Sequence, residues 1–243
     1  VADPLVSVIV PVHAGERFLG AALDSVAAQT YSRVETIIVD DDSPDRAAEI
    51  AAARSGVRVL RQPRSGVAAA RNTGAAAARG ELLAFLDQDD EWHPSKLARQ
   101  VATLRERPDI ALVLTHMDIV LSTGTPRPSW FPIEWQEEPQ PGYIPSTWLM
   151  HRDTFERIGP FDTTYEIACD SDWLARFKDA GFADATAMLT DALVTWRIHG
   201  ANGSYDQQTM HREMLRMMRG TAIRQRQMDP RRASAARETP HAG

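Results

Sequence analysis

The 243 residues, 43% hydrophobic and 25% charged, describe a globular chain long enough for one large domain or two small ones, which excludes intrinsic disorder and a disulfide-stapled miniature. The single cysteine, Cys169, cannot form an internal disulfide, no apolar run approaches the roughly 18 residues of a spanning helix, and the strand-like run soon after Val1 leaves no space for a signal peptide, so the chain reads as intracellular. The net charge of −6 divides into −10 over residues 1–204 and +4 over 205–243, where eight Arg face Asp206, Glu213, Asp229 and Glu238; an acidic body of this kind argues against nucleic acid as partner but admits a phosphate ligand met through a cation.

The β-branched run at 6–10, ending at Pro11, predicts a buried strand, and residues 16–29 place Phe18, Leu19, Ala22, Leu23 and Val26 at helical spacing. The alternation continues with strands at 36–39, 57–60 and 82–86 and helices at 45–54, 67–79 and 94–107, closed by Gly80 and Pro108 where the pattern stops. Strands alternating with helices imply a doubly wound, mostly parallel α/β sheet. After a strand at 111–121 the rhythm breaks: residues 122–145 hold six of the fifteen prolines together with Trp130 and Trp135, and ordered loops this long are usually functional. Strands at 147–151 and 192–198, helices at 153–158, 170–180 and 206–228, and a disordered tail from Pro230 complete the expected order.

Acidic residues collect after two strands, as Asp40-Asp41-Asp42 and as Asp87-Gln88-Asp89-Asp90. Ligands of an open parallel sheet bind at the carboxyl edge of its strands, so both clusters point to one crevice. Two carboxylates about 4 Å apart repel by roughly 4 kcal/mol at an effective dielectric near 20, which calls for a cation or raised pKa values. Oxygen ligands select a hard ion, Mg²⁺ or Mn²⁺. A solvated acidic turn with capping Asp residues is the plainer alternative, and the adjoining buried strand weighs against it.

The ordered motifs Val6-Ser7-Val8-Ile9-Val10-Pro11-Val12, Ile38-Val39-Asp40-Asp41 with Ser43, Ala70-Arg71-Asn72-Thr73-Gly74 and Phe85-Leu86-Asp87-Gln88-Asp89-Asp90 with Trp92, Pro94 and Lys96-Leu97 resemble family 2 glycosyltransferases of the GT-A fold. The resemblance continues through Gly159-Pro160-Phe161-Asp162, Asp170-Ser171-Asp172-Trp173-Leu174 and Arg197-Ile198-His199-Gly200-Ala201-Asn202. It implies one GT-A domain, with a nucleotide-sugar-binding half over 1–110 and a mixed acceptor-side half over 111–204, followed by a C-terminal helix and tail over 205–243. Pro11 and Val12 would border the base, Asp41 would accept from its N3–H, and Arg71 would lie near base or diphosphate. Asp87 and Asp89 would face the donor, Asp90 with Asp89 would hold Mn²⁺ or Mg²⁺, His199 would be a further metal contact, and Asp170 would be the catalytic base. The implied reaction moves one sugar from a nucleoside diphosphate sugar, a UDP-sugar by default, to a hydroxyl acceptor with inversion.

Three departures qualify the resemblance. His13-Ala14 replaces the family's usual Tyr-Asn, Cys169 stands where many members have Glu before the base, and the Gln-x-x-Arg-Trp motif of processive synthases is missing. The first blurs the donor side, the second suggests an unusual acceptor, and the third favours single-sugar transfer. An inactive module of the same fold that only binds a nucleotide sugar is the alternative. Met210, Met214, Met217 and Met218 share one face of the 206–228 helix, which suits packing on the domain or a homo-oligomer partner, while its arginines leave open a peripheral contact at the inner membrane face of a cytoplasmic protein.

Overall fold

The computed structural model describes residues 3–228; the expected tail from Pro230 lies outside them. The chain runs β1 (Val6–Val12), α1 (Leu19–Ala27), β2 (Val34–Asp41), α2 (Ala47–Ala52), β3 (Val57–Gln62), α3 (Val67–Ala77) and β4 (Leu82–Phe85). It continues through β5 (Glu91–Trp92), α4 (Lys96–Glu106), β6 (Leu112–Leu121), β7 (Gln140–Pro141), β8 (Leu149–His151), α5 (Arg152–Ile158), α6 (Cys169–Phe177), β9 (Thr186–Ile198) and α7 (Gln207–Met228).

One sheet joins both halves, in the order β3-β2-β1-β4-β8-β6-β9-β5, with β7 on β6. The pairings among β1 to β4 are parallel. β8 enters antiparallel between β4 and β6, and β6 pairs in parallel with β9. The mostly parallel first half and mixed second half are therefore as expected. All seven residues of β1 are buried, because helices cover both faces of the sheet. Strand alternation splits them: Val6, Val8, Val10 and Val12 meet Leu19, Leu23 and Val26 of α1 and Leu97 and Val101 of α4, while Ile9 meets the aromatic core of Phe85, Trp148, Phe161 and Trp173. α3 lies so close to β1 that a Cβ on Gly74 would come 2.3 Å from Ile9 Cγ2.

The second half differs from the sequence expectation in detail. β9 begins at Thr186 rather than 192, since the strand pairs with β6 from Leu112 onward, and a register shift at His116 breaks the alternation that would have marked it. β5, two residues long, carries no readable period. Residues 122–145 are mostly irregular, holding a 3₁₀ turn at Ile133–Gln136 and β7, and they are anchored by Phe131, 1% exposed. Met210, Met214 and Met217 of α7 pack on the aromatic core, but Met218 is 60% exposed and does not share their role. No helix among the described residues is long and apolar enough to cross a membrane.

Candidate active site

The carboxyl ends of β1, β2 and β4 open on a cleft of about 1460 Å³. Pro11, Val12, Asp41, Arg71, Asp87, Asp89, Asp90, Asp170 and His199 all line it, although they are up to 188 positions apart in the chain (11 to 199).

Asp41 ends β2 and is 1% exposed. Its Oδ1 accepts from Gln62 Nε2 and the Ser65 N–H, both at 2.8 Å, and its Oδ2 accepts from Arg64 Nη1 at 2.5 Å and the Gly66 N–H at 2.8 Å. Burial alone would raise its pKa, but these four donors outweigh that and hold the carboxyl below the usual range. Gly66, at φ +88°, turns its N–H toward Asp41 where a side chain would be strained. Next to it, His13 Nδ1 lies 2.9 Å from the Asp41 carbonyl oxygen, so the departure at His13 ties the ends of β1 and β2 together.

Gln88 performs a similar task that the motif reading missed. Its Oε1 accepts from the His13 N–H and its Nε2 donates to the His13 carbonyl, both at 2.9 Å, pinning the loop after β4 to the loop after β1. A side-chain amide offers a donor and an acceptor side by side, matching the N–H and C=O of one residue, which is the signal its position between acidic residues held.

The three carboxylates after β4 separate by environment. Asp87 Oδ1 accepts from Arg71 Nη2 at 2.6 Å. Asp90 is 1% exposed, and its oxygens accept from Ser146 Oγ at 2.6 Å and the Arg197 N–H at 3.1 Å. Burial, then the charges of Asp89 and Asp87, push the Asp90 pKa well up. Asp89 Oδ2 lies 2.8 Å from His199 Nε2 and accepts from Asn202 Nδ2 at 3.0 Å. His199 itself stacks on Phe18 with ring centroids 4.6 Å apart. Ser146 also accepts the Asp87 N–H at 3.1 Å, so a residue from the end of the Pro-rich stretch shapes the acidic loop. No set of three or more His, Cys, Asp or Glu side chains converges on one point among the described residues.

Arg71, 4% exposed, joins the loop after β4 to the start of α6. Besides Asp87 it reaches Cys169 Sγ at 3.5 Å, and its Nε has no partner among the described residues. Burial works against its charge, while Asp87, Cys169 and Asp170 reverse that and keep it protonated. Cys169 is fully buried beneath the cleft, and burial pushes its thiol up to about 12. The thiol therefore faces Arg71 and the core.

Asp170 is the second residue of α6, after Ala168 as N-cap. Its Oδ1 accepts from the Ser171 N–H at 2.6 Å. Burial raises its pKa, with Arg71 as the main opposing influence. Beyond it, Trp130 stacks on Trp196 at 6.4 Å, and both line the cleft with Tyr143. Trp135 packs on the edge of Phe131 at 5.8 Å and is not part of the lining.

Residues 7–179 match the family model described as Glycosyl transferase family 2. The chain is 32% identical over 215 residues to the uncharacterized glycosyltransferase alr2836 of Nostoc sp., covering 81% of this chain and 66% of that relative. It is 30% identical over 213 residues to the putative glycosyltransferase EpsH of Bacillus subtilis, covering 81% of this chain and 61% of that one. The chain thus spans a little under two thirds of these relatives' length. Among solved structures, S. aureus TarS 1-349 in complex with UDP is similar in fold, with TM-score 0.70 at 20% identity over 90% of this chain and 65% of that one. The same protein in complex with UDP-GlcNAc aligns with TM-score 0.71.

Proposed function

Since the chain belongs to glycosyl transferase family 2, we propose that it moves one sugar from a nucleoside diphosphate sugar, a UDP-sugar in the first instance, to a hydroxyl acceptor with inversion. The observation that carries this reading is the one cleft that Asp87, Asp89, Arg71 and Asp170 all line, with Arg71 paired to Asp87 and acting on the charge of Asp170. The base of the donor belongs beside Pro11, Val12 and Asp41. Both Asp41 oxygens are already doubly engaged, so accepting an N3–H requires a donor to leave, and Arg64, with its side chain 52% exposed, is the one free to swing out.

The donor set suits a divalent cation. A carboxylate oxygen of Asp89 and an imidazole nitrogen of His199 meet at the cleft wall, and mixed oxygen and nitrogen ligands favour Mn²⁺ over Mg²⁺. Two protein ligands leave positions for diphosphate oxygens, as such ions usually require. The Ala201 N–H points at His199 Nδ1 at 3.3 Å, and His199 would hold the ion through Nε2 with its ring proton on Nδ1, at the expense of that contact. Asp90, enclosed by Ser146 and Arg197, acts by holding the loop, so we reassign the metal pair from Asp89 and Asp90 to Asp89 and His199. When bound, the ion supplies positive charge to the departing diphosphate.

On the opposite side Asp170 takes the acceptor's proton. Its raised pKa brings its basicity closer to neutral pH, where general-base catalysis is most effective. Asp87 is committed to Arg71, which leaves one carboxyl for proton transfer and favours a single displacement over a double one. The faces of Trp130, Trp196 and Tyr143 offer the acceptor a flat apolar support.

The test is UDP binding followed by thermal shift with and without Mn²⁺. The parent protein should be stabilised more strongly with the ion, and Asp89→Asn or His199→Gln should remove that increment. If Asp90→Asn removes it while both others keep it, the metal pair is wrongly assigned. UDP release from a UDP-sugar with Mn²⁺ separates an enzyme from an inactive binding module.

A further inference from the structure

The residues leading into Asp170 are held by a side chain from the other end of the chain. Glu213, on the inner face of α7 and 5% exposed, accepts three main-chain N–H bonds, from Glu166 at 2.8 Å and from Ile167 and Ala168 at 2.9 Å each. α6 has no side-chain cap of its own, because Ala168 occupies the cap position and has nothing to offer. The carboxylate of Glu213 instead holds the N–H of that cap residue and of the two residues before it, with Ala168 45 residues away in the chain. Burial alone would raise its pKa, but the three N–H bonds outweigh burial and keep it an anion.

α7 is itself fastened to the domain, so the anchor is firm. Met210, Met214 and Met217 sit on the aromatic core, Arg224 Nε donates to Asp179 Oδ2 at 2.7 Å, and Arg216 Nη2 donates to Thr164 Oγ1 at 2.6 Å. The Asp170 carboxyl, by contrast, has hydrogen bonds among the described residues only with its neighbour Ser171, from the N–H at 2.6 Å and Oγ at 3.3 Å. Those bonds tie the carboxyl to the first turn of α6, so its direction relative to Arg71 and Asp87 follows the backbone that leads into that turn.

We propose that Glu213 is a positioning residue that clamps the 166–168 backbone and thereby aims Asp170 into the cleft. The proposal rests on the reading of Asp170 as the base. It makes α7 part of the catalytic apparatus without touching substrate, since a misplacement of about 1 Å in a reacting group can lower turnover on the order of 10²-fold.

Cys169, the only cysteine and fully buried beside Asp170, is a built-in reporter of this segment. In Glu213→Gln, native-state labelling of Cys169 by a thiol reagent should accelerate at least about tenfold, because a charge-assisted contact is lost. The kcat for nucleotide release, measured on whichever of UDP-, dTDP- and GDP-hexoses the parent turns over, should fall on the order of 10²-fold while donor KM stays put. Glu213→Asp, which keeps the charge, should recover part of both. Cys169 as well protected in folded Glu213→Gln as in the parent, or an unchanged kcat, overturns the proposal. Should Glu213→Gln not fold, amide exchange in the unaltered protein decides: the N–H groups of 166–168 should be protected, and free exchange at all three overturns it. Asp170→Asn run in parallel keeps the two ideas apart. Full turnover there strikes the base assignment, whereas lost turnover there with unchanged turnover in Glu213→Gln strikes the clamp alone.

Discussion

Asp170 and Asp41 are both carboxylates at the cleft, and their surroundings push them in opposite directions. Asp41 gathers four donors and is held as an anion, whereas Asp170 is enclosed with a single neighbouring donor residue and has a raised pKa. Asp170→Asn should reduce turnover by roughly 10² to 10⁴. Because the folded state disfavours the ionised carboxyl, the same substitution should leave the thermal midpoint unchanged or raise it at neutral pH. Steady-state kinetics beside a melting curve checks both, and near-normal turnover would place the base elsewhere. Lys96 carries the corresponding prediction for a cation. It is fully buried, with Nζ 4.0 Å from the centroid of the Trp92 ring and 2.9 Å from Gln100 Oε1, and burial holds its pKa well below the ordinary value. The unfolded chain therefore binds more protons between that lowered value and about 10.4, so this residue makes stability rise with pH in that window. Lys96→Met should flatten the rise, as read from urea midpoints across the alkaline range.

Between elements, two contacts were invisible in any periodicity. α3 rests on β1 at Gly74, and Ala there must push Ile9 aside in a fully buried layer. Gly74→Ala should cost about 1–3 kcal/mol through overpacking, although Ala favours a helix, and chemical denaturation would register the loss. The second contact is α7 against the start of α6. Glu213 and Asp41 both have lowered pKa values, so their contribution is complete above the ordinary carboxylate pKa of about 4 and is lost as pH falls through their lower folded values. Unfolding experiments between pH 6 and pH 2 should show stability declining below about pH 4. In Glu213→Gln that decline should be shallower.

At the scale of the molecule, the sheet passes without a break from the parallel half to the mixed half through β8, and α7 packs on the aromatic core. Met210, Met214 and Met217 of α7 are used in packing and Arg216 and Arg224 pair with the domain, while Leu215, Met218 and Ile223 of the same helix stay exposed. Truncation after Ser204 should destabilise the protein or leave it aggregated, because the Met contacts and these arginine contacts go with it. A truncated protein that remains as stable as its parent would reverse this account of α7.

The β-α alternation, the buried central strands and the acidic clusters at strand ends were legible in the sequence because each is set by neighbours a few residues apart. The same local motifs carried the family resemblance, and all nine site residues named from them line one cleft. What the sequence could not distinguish was the division of labour within a cluster. Asp89 and Asp90 are adjacent and chemically identical, yet one meets His199 and Asn202 and the other is held by Ser146 and Arg197, all from distant segments. The inward turn of Cys169, the pinning of His13 by Gln88 and the anchoring of 166–168 by Glu213 likewise depend on partners 45 to 98 residues away. Residue type and spacing determine which groups can reach a strand end; burial and hydrogen-bond partners, which exist only once the chain has folded, decide what each group does there.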